Sequence, residues 1–304
     1  MFNQLGVIGC GLIGGSFALA LKRANLVNRV VGYSKSPSTT EKAKRLGVID
    51  IAVESALQAV SGSDIVLIAV PVSATESTFR AIFHLVDSHI LIMDVGSTKV
   101  DVVEAARRAL KDRVKSFVPA HPIAGREVTG VSNSNPDLYI DRKVILTPMA
   151  ETSPELLEKA ASVWRGIGAY VSEMSPQDHD AALGAVSHLP HLLAFAYLNG
   201  INTQIDHQAL LSLAGPGFRD FTRIGASDSA IWRDIFQSNQ SELKKQLHHF
   251  RVALEALEAK IQSGDTIGLE SLIQQASQIR SNWSLDPSPI PASLLSPLTP
   301  KRKS

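Results

Sequence analysis

The chain has 304 residues, 44% of them hydrophobic and 19% charged, and its 30 basic and 29 acidic side chains leave a formal charge of +1. This composition excludes an intrinsically disordered chain and removes the net electrostatic drive toward nucleic acid or a membrane surface, so small solutes are the expected partners. A single cysteine, Cys10, excludes an intrachain disulfide, and the start of the chain lacks the basic segment and cleavage site of a secretory leader, which points to a reducing cytoplasm. At roughly 150 residues per domain, the length predicts two domains.

Up to about Ser175, short β-branched runs alternate with helical patterns, the signature of a parallel sheet covered by helices. Strands are predicted at residues 5–9, 29–34, 65–70, 90–95, 116–119, 144–147 and 170–172, and together they are expected to make one doubly wound, Rossmann-type sheet. Apolar residues recur at three and four in stretches between them, such as 12–23, 40–46 and 100–110. The expected α/β domain spans 1–175.

An all-helical domain is expected over 176–283, with helices at 178–204 (bent at Pro190), 207–213, 229–263 and 267–282. Residues 181–205 carry no Asp, Glu, Lys or Arg and approach the length that spans a bilayer. Ser187, His188, Pro190, His191, Asn199, Asn202, Thr203 and Gln204 place too many polar groups along that stretch to face lipid, so a helix buried on most sides is expected and no membrane partner. Apolar stripes at 230–236 and 243–261 exceed what so few helices can cover, which predicts a homodimer built on this half. Residues 284–304 are rich in proline, end in Lys301-Arg302-Lys303, and are expected to be a disordered tail.

Gly9-Cys10-Gly11-Leu12-Ile13-Gly14 follows the first predicted strand and opens the first predicted helix, the context that makes such a string a dinucleotide fingerprint. Gly9 allows the tight turn, Gly11 lets the backbone approach a pyrophosphate, and Gly14 lets helix and strand pack closely. The helix N-terminus offers its free N–H groups to the anion. About 20 residues on, where an acid would bind the ribose hydroxyls, the chain has Ser34-Lys35-Ser36. Two hydroxyls and a cation suit a 2′-phosphate, so NADP is the preferred cofactor, with NAD possible. Val70 and Pro71 end a strand where they line the path to the nicotinamide, and Cys10 is read as a small filler.

At the carboxyl ends of the later strands stand Asp94-Val95-Gly96-Ser97-Thr98-Lys99 and His121-Pro122-Ile123-Ala124-Gly125. Ser187-His188-Leu189-Pro190-His191, the run from Gly215 to Arg223, and Ile231-Trp232-Arg233-Asp234 follow. Together these motifs resemble the prephenate and arogenate dehydrogenases of tyrosine biosynthesis, from about Leu5 to Trp283. The resemblance implies oxidative decarboxylation of prephenate to 4-hydroxyphenylpyruvate, or of arogenate to tyrosine, with hydride passed to NAD(P)+. It also implies roles: His121 as the catalytic base, Ser97 beside it, and His191, Arg223 and Trp232 around the substrate. His188 looks structural. Spacing permits His188 and His191 to pair on a metal, but no third ligand stands out, and no metal is expected.

The family motif often has Thr-Glu where this chain has Arg126-Glu127. Neither a fused chorismate mutase domain nor a regulatory amino-acid-binding domain is expected on either side. Two other classes compete. β-Hydroxyacid dehydrogenases and pyrroline carboxylate reductases share the domain order but do not explain His121-Pro122 together with His188 to His191 and Arg223. A nucleotide-sensing regulator would have the fold without the reactive constellation.

Overall fold

The computed structural model describes residues 1–125, 128–284 and 290, so Arg126 and, apart from Ser284 and Ile290, the predicted tail lie outside the described residues. Six parallel strands form the main sheet: β1 (Phe2–Ile8), β2 (Val27–Tyr33), β3 (Ile51–Ala52), β4 (Ile65–Ile68), β5 (Leu91–Asp94) and β6 (Phe117–Val118), in the order β3-β2-β1-β4-β5-β6. β1 and β4 are buried almost throughout, as strands covered on both faces must be. The order reverses at β1, and ligands of such sheets sit at that reversal, beyond the carboxyl ends of the strands.

The expectation of one seven-stranded sheet needs correction. β7 (Ala120–Pro122), β8 (Lys143–Leu146) and β9 (Tyr170–Glu173) form a separate small sheet, with β7 antiparallel to β8 and β8 parallel to β9. Pro119 separates β6 from β7. It has no N–H with which to extend a ladder, while its carbonyl accepts a 3.0 Å bond from the Thr147 N–H, so the chain changes sheets there. His121 therefore stands on the small sheet, next to the edge of the large one.

Helices α1 (Leu12–Arg23), α2 (Pro37–Arg45), α3 (Ala56–Val60), α4 (Thr75–Ile82), α5 (Val100–Leu110) and α6 (Pro154–Gly166) cover these strands. On one face Phe17 of α1 meets Trp164 of α6 at 4.8 Å between ring centroids, with Tyr139 edge-on to both. On the other, Phe79 of α4 packs on Phe117 of β6 at 4.9 Å, over Val103 and Ala106 of α5. Each face is a dry, interdigitated layer of large side chains.

The remaining elements are helical: α7 (Pro176–Leu183), a π-helical turn Gly184–His188, α8 (Leu189–Asn202), α9 (His207–Ser212), α10 (Pro216–Thr222), α11 (Ser229–Ser238), α12 (Gln240–Ser263) and α13 (Thr266–Asn282). Two expectations shift in detail. The helix expected over 178–204 is α7, a π-helical turn over 184–188 and α8, and His188 in that turn is buried. The helix expected over 229–263 breaks at Asn239 (φ −107°, ψ 32°), whose side chain is drawn inward to Asp180 and His188.

Within this single chain α13 has no buried residue and α12 only Leu243, while Leu254, Ile261, Ile267 and Ile279 are exposed. The span Pro176–Asn202 is long and apolar enough to cross a membrane by length and composition. Only 22% of its most apolar window is buried here, so a helix covered on most sides is not what one chain supplies. Pro176, His179, Asp180 and Leu183, then Gly184 and His188, and Ala194 beyond them, are its buried residues, and Gly184 and His188 pack toward Asn239.

Candidate active site

The glycine turn has the shape a pyrophosphate needs. Gly9 sits at φ +101°, and a Cβ there would come within 2.2 Å of the Ala69 carbonyl oxygen. A Cβ at Gly14 would meet the Gly9 carbonyl oxygen at 2.2 Å, so helix and strand touch only because both residues are glycine. At Gly11, the residue preceding α1, a Cβ would meet nothing within 4 Å: space is left open over the helix N-terminus. Gly11, Leu12, Ile13, Val70, Pro71, Ser97 and Trp232 line one cleft of about 380 Å³ between the sheet and α11. Asp234, which also lines it, accepts a 2.5 Å bond from the Ser73 hydroxyl. These residues fit a dinucleotide.

Ser34 behaves differently from the expectation that its hydroxyl faces a phosphate. It accepts the Cys10 N–H at 2.8 Å and thereby fastens the glycine turn to the end of β2. Lys35 and Ser36 are exposed on the turn into α2, where Ser36 shares a 2.9 Å hydrogen bond with Ser38. Burial pushes the Cys10 thiol up to about 11, which makes it a packing group.

Below the cleft lies a buried ion pair. Lys99, fully buried, donates to Asp94 at 2.5 Å and to the Ala120 carbonyl at 2.8 Å, and Asp94 accepts the N–H groups of Gly96 (2.8 Å) and Ala120 (3.1 Å). Burial pushes the Asp94 carboxyl up, and Lys99 with the two main-chain N–H groups opposes this. The pair thus grips both backbone groups of the residue before His121. His121 is itself buried, and its Nδ1 lies 2.8 Å from Nε2 of His179 on α7. His179 Nδ1 lies 2.7 Å from Asp180, which also accepts the N–H groups of Lys99 (2.8 Å) and Val100 (2.9 Å) at the start of α5. Burial, then the neighbouring His179, Lys99 and His188, holds His121 well below the usual histidine range, so its ring is neutral.

A second group of rings sits beside it. His191 stacks on Trp232 with centroids 3.5 Å apart and donates Nδ1–H to the Ser187 carbonyl at 2.9 Å. His188 is buried, its pKa pushed down to about 4 chiefly by burial, and its Nδ1 accepts from Asn239 at 3.0 Å. Asn239 also donates to the Asp180 carbonyl at 2.7 Å, which joins the two ring groups. Arg223 opens a short 3-10 turn packed on α8 and is exposed.

Sequence reasoning placed Ser97 against the imidazole. Ser97 does line the cleft, but among the described residues its side chain makes no hydrogen bond to His121, and the ring is oriented by His179 instead. His179, Asp180, Asp94, Lys99 and Asn239 were not assigned roles from sequence. Only Asp94 and Lys99 carried a signal, an acid and a cation at the end of an apolar strand. His179 and Asp180 are joined to His121 by tertiary packing alone.

A doubly wound sheet, a glycine turn that fits a pyrophosphate and a buried neutral histidine beyond the strand ends define a nicotinamide-dependent oxidoreductase. Residues 17–173 match the family model of the prephenate dehydrogenase nucleotide-binding domain and residues 175–275 that of the prephenate dehydrogenase dimerization domain. The chain is 33% identical over 287 residues to the prephenate dehydrogenase of Bacillus subtilis, spanning 94% of this chain and 77% of the relative. Among solved structures, prephenate dehydrogenase from A. aeolicus in complex with hydroxyphenyl propionate and NAD+ has a TM-score of 0.86 and 35% identity, over 92% of this chain and 98% of that one. Synechocystis arogenate dehydrogenase has a TM-score of 0.78 and 28% identity, over 92% and 100%. The chain belongs to the prephenate dehydrogenase family, whose dehydrogenase step serves tyrosine biosynthesis. The hydroxyacid dehydrogenase, pyrroline carboxylate reductase and regulator readings give way to it.

Replacing Lys99 by Met should strand the Asp94 charge in the interior and destabilise the protein by about 3–5 kcal/mol. Adding Asp94→Asn to Lys99→Met should recover a large part of that loss. Urea unfolding of both variants checks this, and a Lys99→Met protein as stable as the parent contradicts the assigned pair.

Proposed function

We propose that the chain catalyses oxidative decarboxylation of prephenate, with His121 as base, NADP+ as preferred acceptor and a homodimer as the working form. The observation that carries this is the neutral His121 beyond the strand ends, which follows the Ala120 backbone gripped by Asp94 and Lys99, while Gly96, bonded to the same Asp94, lines the cleft with the glycine turn and Ser97. The relative from A. aeolicus is complexed with hydroxyphenyl propionate and NAD+, a phenol with a three-carbon acid beside a nicotinamide, as the aromatised product would be.

When bound, the nicotinamide accepts hydride from the ring carbon that bears the hydroxyl. The residues do the rest. His121 Nε2 has no hydrogen bond among the described residues, and it takes the hydroxyl proton as that carbon becomes a carbonyl. The ring carboxylate leaves as carbon dioxide, its bonding pair passes through the ring to the carbonyl oxygen, that oxygen takes the proton back from His121, and aromatisation provides the driving force. Arg223 holds a substrate carboxylate, for which a planar bidentate fork suits better than an ammonium. His191 and Trp232, stacked, form a wall against the ring, and Ser97 lies where it meets the hydroxyl. Gly9, Gly11 and Gly14, with the main chain of Leu12 and Ile13, hold the pyrophosphate.

His121→Asn should lower kcat by roughly a hundredfold or more with a modest change in KM. Arg223→Ala should instead raise KM for substrate by about 2–3 kcal/mol equivalent, with cofactor affinity nearly unchanged. Wild-type kcat/KM should be higher for prephenate than for arogenate. Steady-state kinetics on both substrates tests all three, and near-normal turnover in His121→Asn contradicts the assignment.

The preference for NADP+ is supported by a β2 end without a carboxylate and by Lys35 and Ser36 standing exposed just past it. Lys35→Glu should weaken NADP+ much more than NAD+, because it puts a carboxylate in place of the exposed cation offered to the 2′-phosphate. A wild type that uses NAD+ at least as well overturns this.

The homodimer is supported by the uncovered apolar side chains of α12 and α13, since a lone subunit would leave them in water. Sedimentation should show a dimer at micromolar concentration. A stable, active monomer contradicts it.

A further inference from the structure

We propose that His179 and Asp180 are positioning residues that hold a proton on His121 Nδ1, leave Nε2 as the basic atom, and share the charge His121 acquires in the reaction. This rests on His121 being the base, as proposed above.

Asp180 Oδ1 accepts the Lys99 N–H and its Oδ2 the Val100 N–H, both at the N-terminus of α5. Burial raises its pKa, and these two N–H groups with the Lys99 charge oppose that rise. An oxygen that carries a proton is a poor acceptor, so two main-chain donors, one on each oxygen, suit the carboxylate and not the acid. The helix N-terminus adds its own positive end. A carboxylate can only accept, so the 2.7 Å contact to His179 is an Nδ1–H donated by the imidazole. Burial keeps His179 neutral, and a neutral imidazole with its proton on Nδ1 has a lone pair on Nε2. That lone pair faces His121 Nδ1 at 2.8 Å, so His121 must donate there. The neutral His121 then has one basic atom, Nε2. Each step leaves a single consistent assignment.

The charges around His121 support the second half of the proposal. The groups that face it are Lys99 and Asp94 from the end of β5 and the loop before α5, His179 and Asp180 from α7, and His188 from the π turn. Lys99 is paired with Asp94, and His188 and His179 are neutral, so Asp180, held by the two N–H groups of α5, is the carboxylate at the far end of the hydrogen-bonded chain from His121. When the O–H proton of the substrate bonds to Nε2, the hydroxyl's electron pair forms the carbonyl and His121 becomes cationic. Through His179 it then answers Asp180, and the buried cluster gains balance instead of losing it. The arrangement has the roles of a serine-protease triad's histidine and aspartate, with a second imidazole between them.

Two substitutions separate this from plain packing. His179→Gln keeps an acceptor for His121 and a donor for Asp180; His179→Phe fills the space with neither. We expect the Gln variant within about tenfold of wild-type kcat. The Phe variant should fall by about a hundredfold at unchanged KM, and the acid limb of its kcat/KM profile should move to lower pH because His121 loses its link to Asp180. A folded His179→Phe protein with wild-type kcat and an unmoved acid limb overturns the relay. Should the Phe variant not fold, His179→Gln decides, since turnover lost as fully as in His121→Asn contradicts a role in orientation. Near-normal turnover in His121→Asn is a different result, because it overturns the base assignment itself.

Discussion

A lysine ammonium held out of water against Asp94 ties the main sheet to the small one, and the position of the His121 ring follows from that tie. The pair is costly to bury, and it persists because each partner also satisfies main-chain groups: Lys99 the Ala120 carbonyl, Asp94 the N–H of Gly96 and Ala120. Ala120 precedes His121, so the base is fixed from its own backbone before any side chain orients it. The same Lys99 gives its backbone N–H to Asp180. One residue therefore fixes the backbone before His121 on one side and the Asp180 carboxylate on the other.

From this follows a division of labour between the two halves of the chain. The α/β part supplies the glycine turn, Ser97 and His121. The helical part supplies His179, Asp180, the stacked His191 and Trp232, and Arg223. Asn239 bridges the Asp180 carbonyl and His188, so the break between α11 and α12 locks the second ring group to the first. The Ser73 to Asp234 bond links the two halves at the cleft. The cleft is lined by residues of both halves, an arrangement in which binding energy can align reacting atoms.

Much of the fold was legible in the sequence because strands buried on both faces read as apolar runs, and the main-sheet strands predicted around β1, β2, β4, β5 and β6 are all present. β3 and β7 are too short to show a period. Sheet membership was illegible for a different reason: the switch at Pro119 is a change of partner, and the pattern of 144–147 is the same whichever sheet receives it. In the helical half, neither the π turn nor the break at Asn239 interrupts the apolar spacing enough to be seen. The glycine turn was legible because its chemistry is local. The motif found His121, whereas the partners that set its tautomer come from a helix remote in sequence, and no local pattern encodes them.

With His121 acting as proposed, its ring is neutral, with the proton on Nδ1 and a lone pair on Nε2. Nitrogen-15 NMR of the histidine-labelled protein at neutral pH, with the His121 signals assigned by comparison with His121→Asn, reads this directly. The account predicts a protonated Nδ1 and an unprotonated Nε2 for His121, and the same tautomer for His179. An imidazolium at His121, or a proton on Nε2, would contradict it.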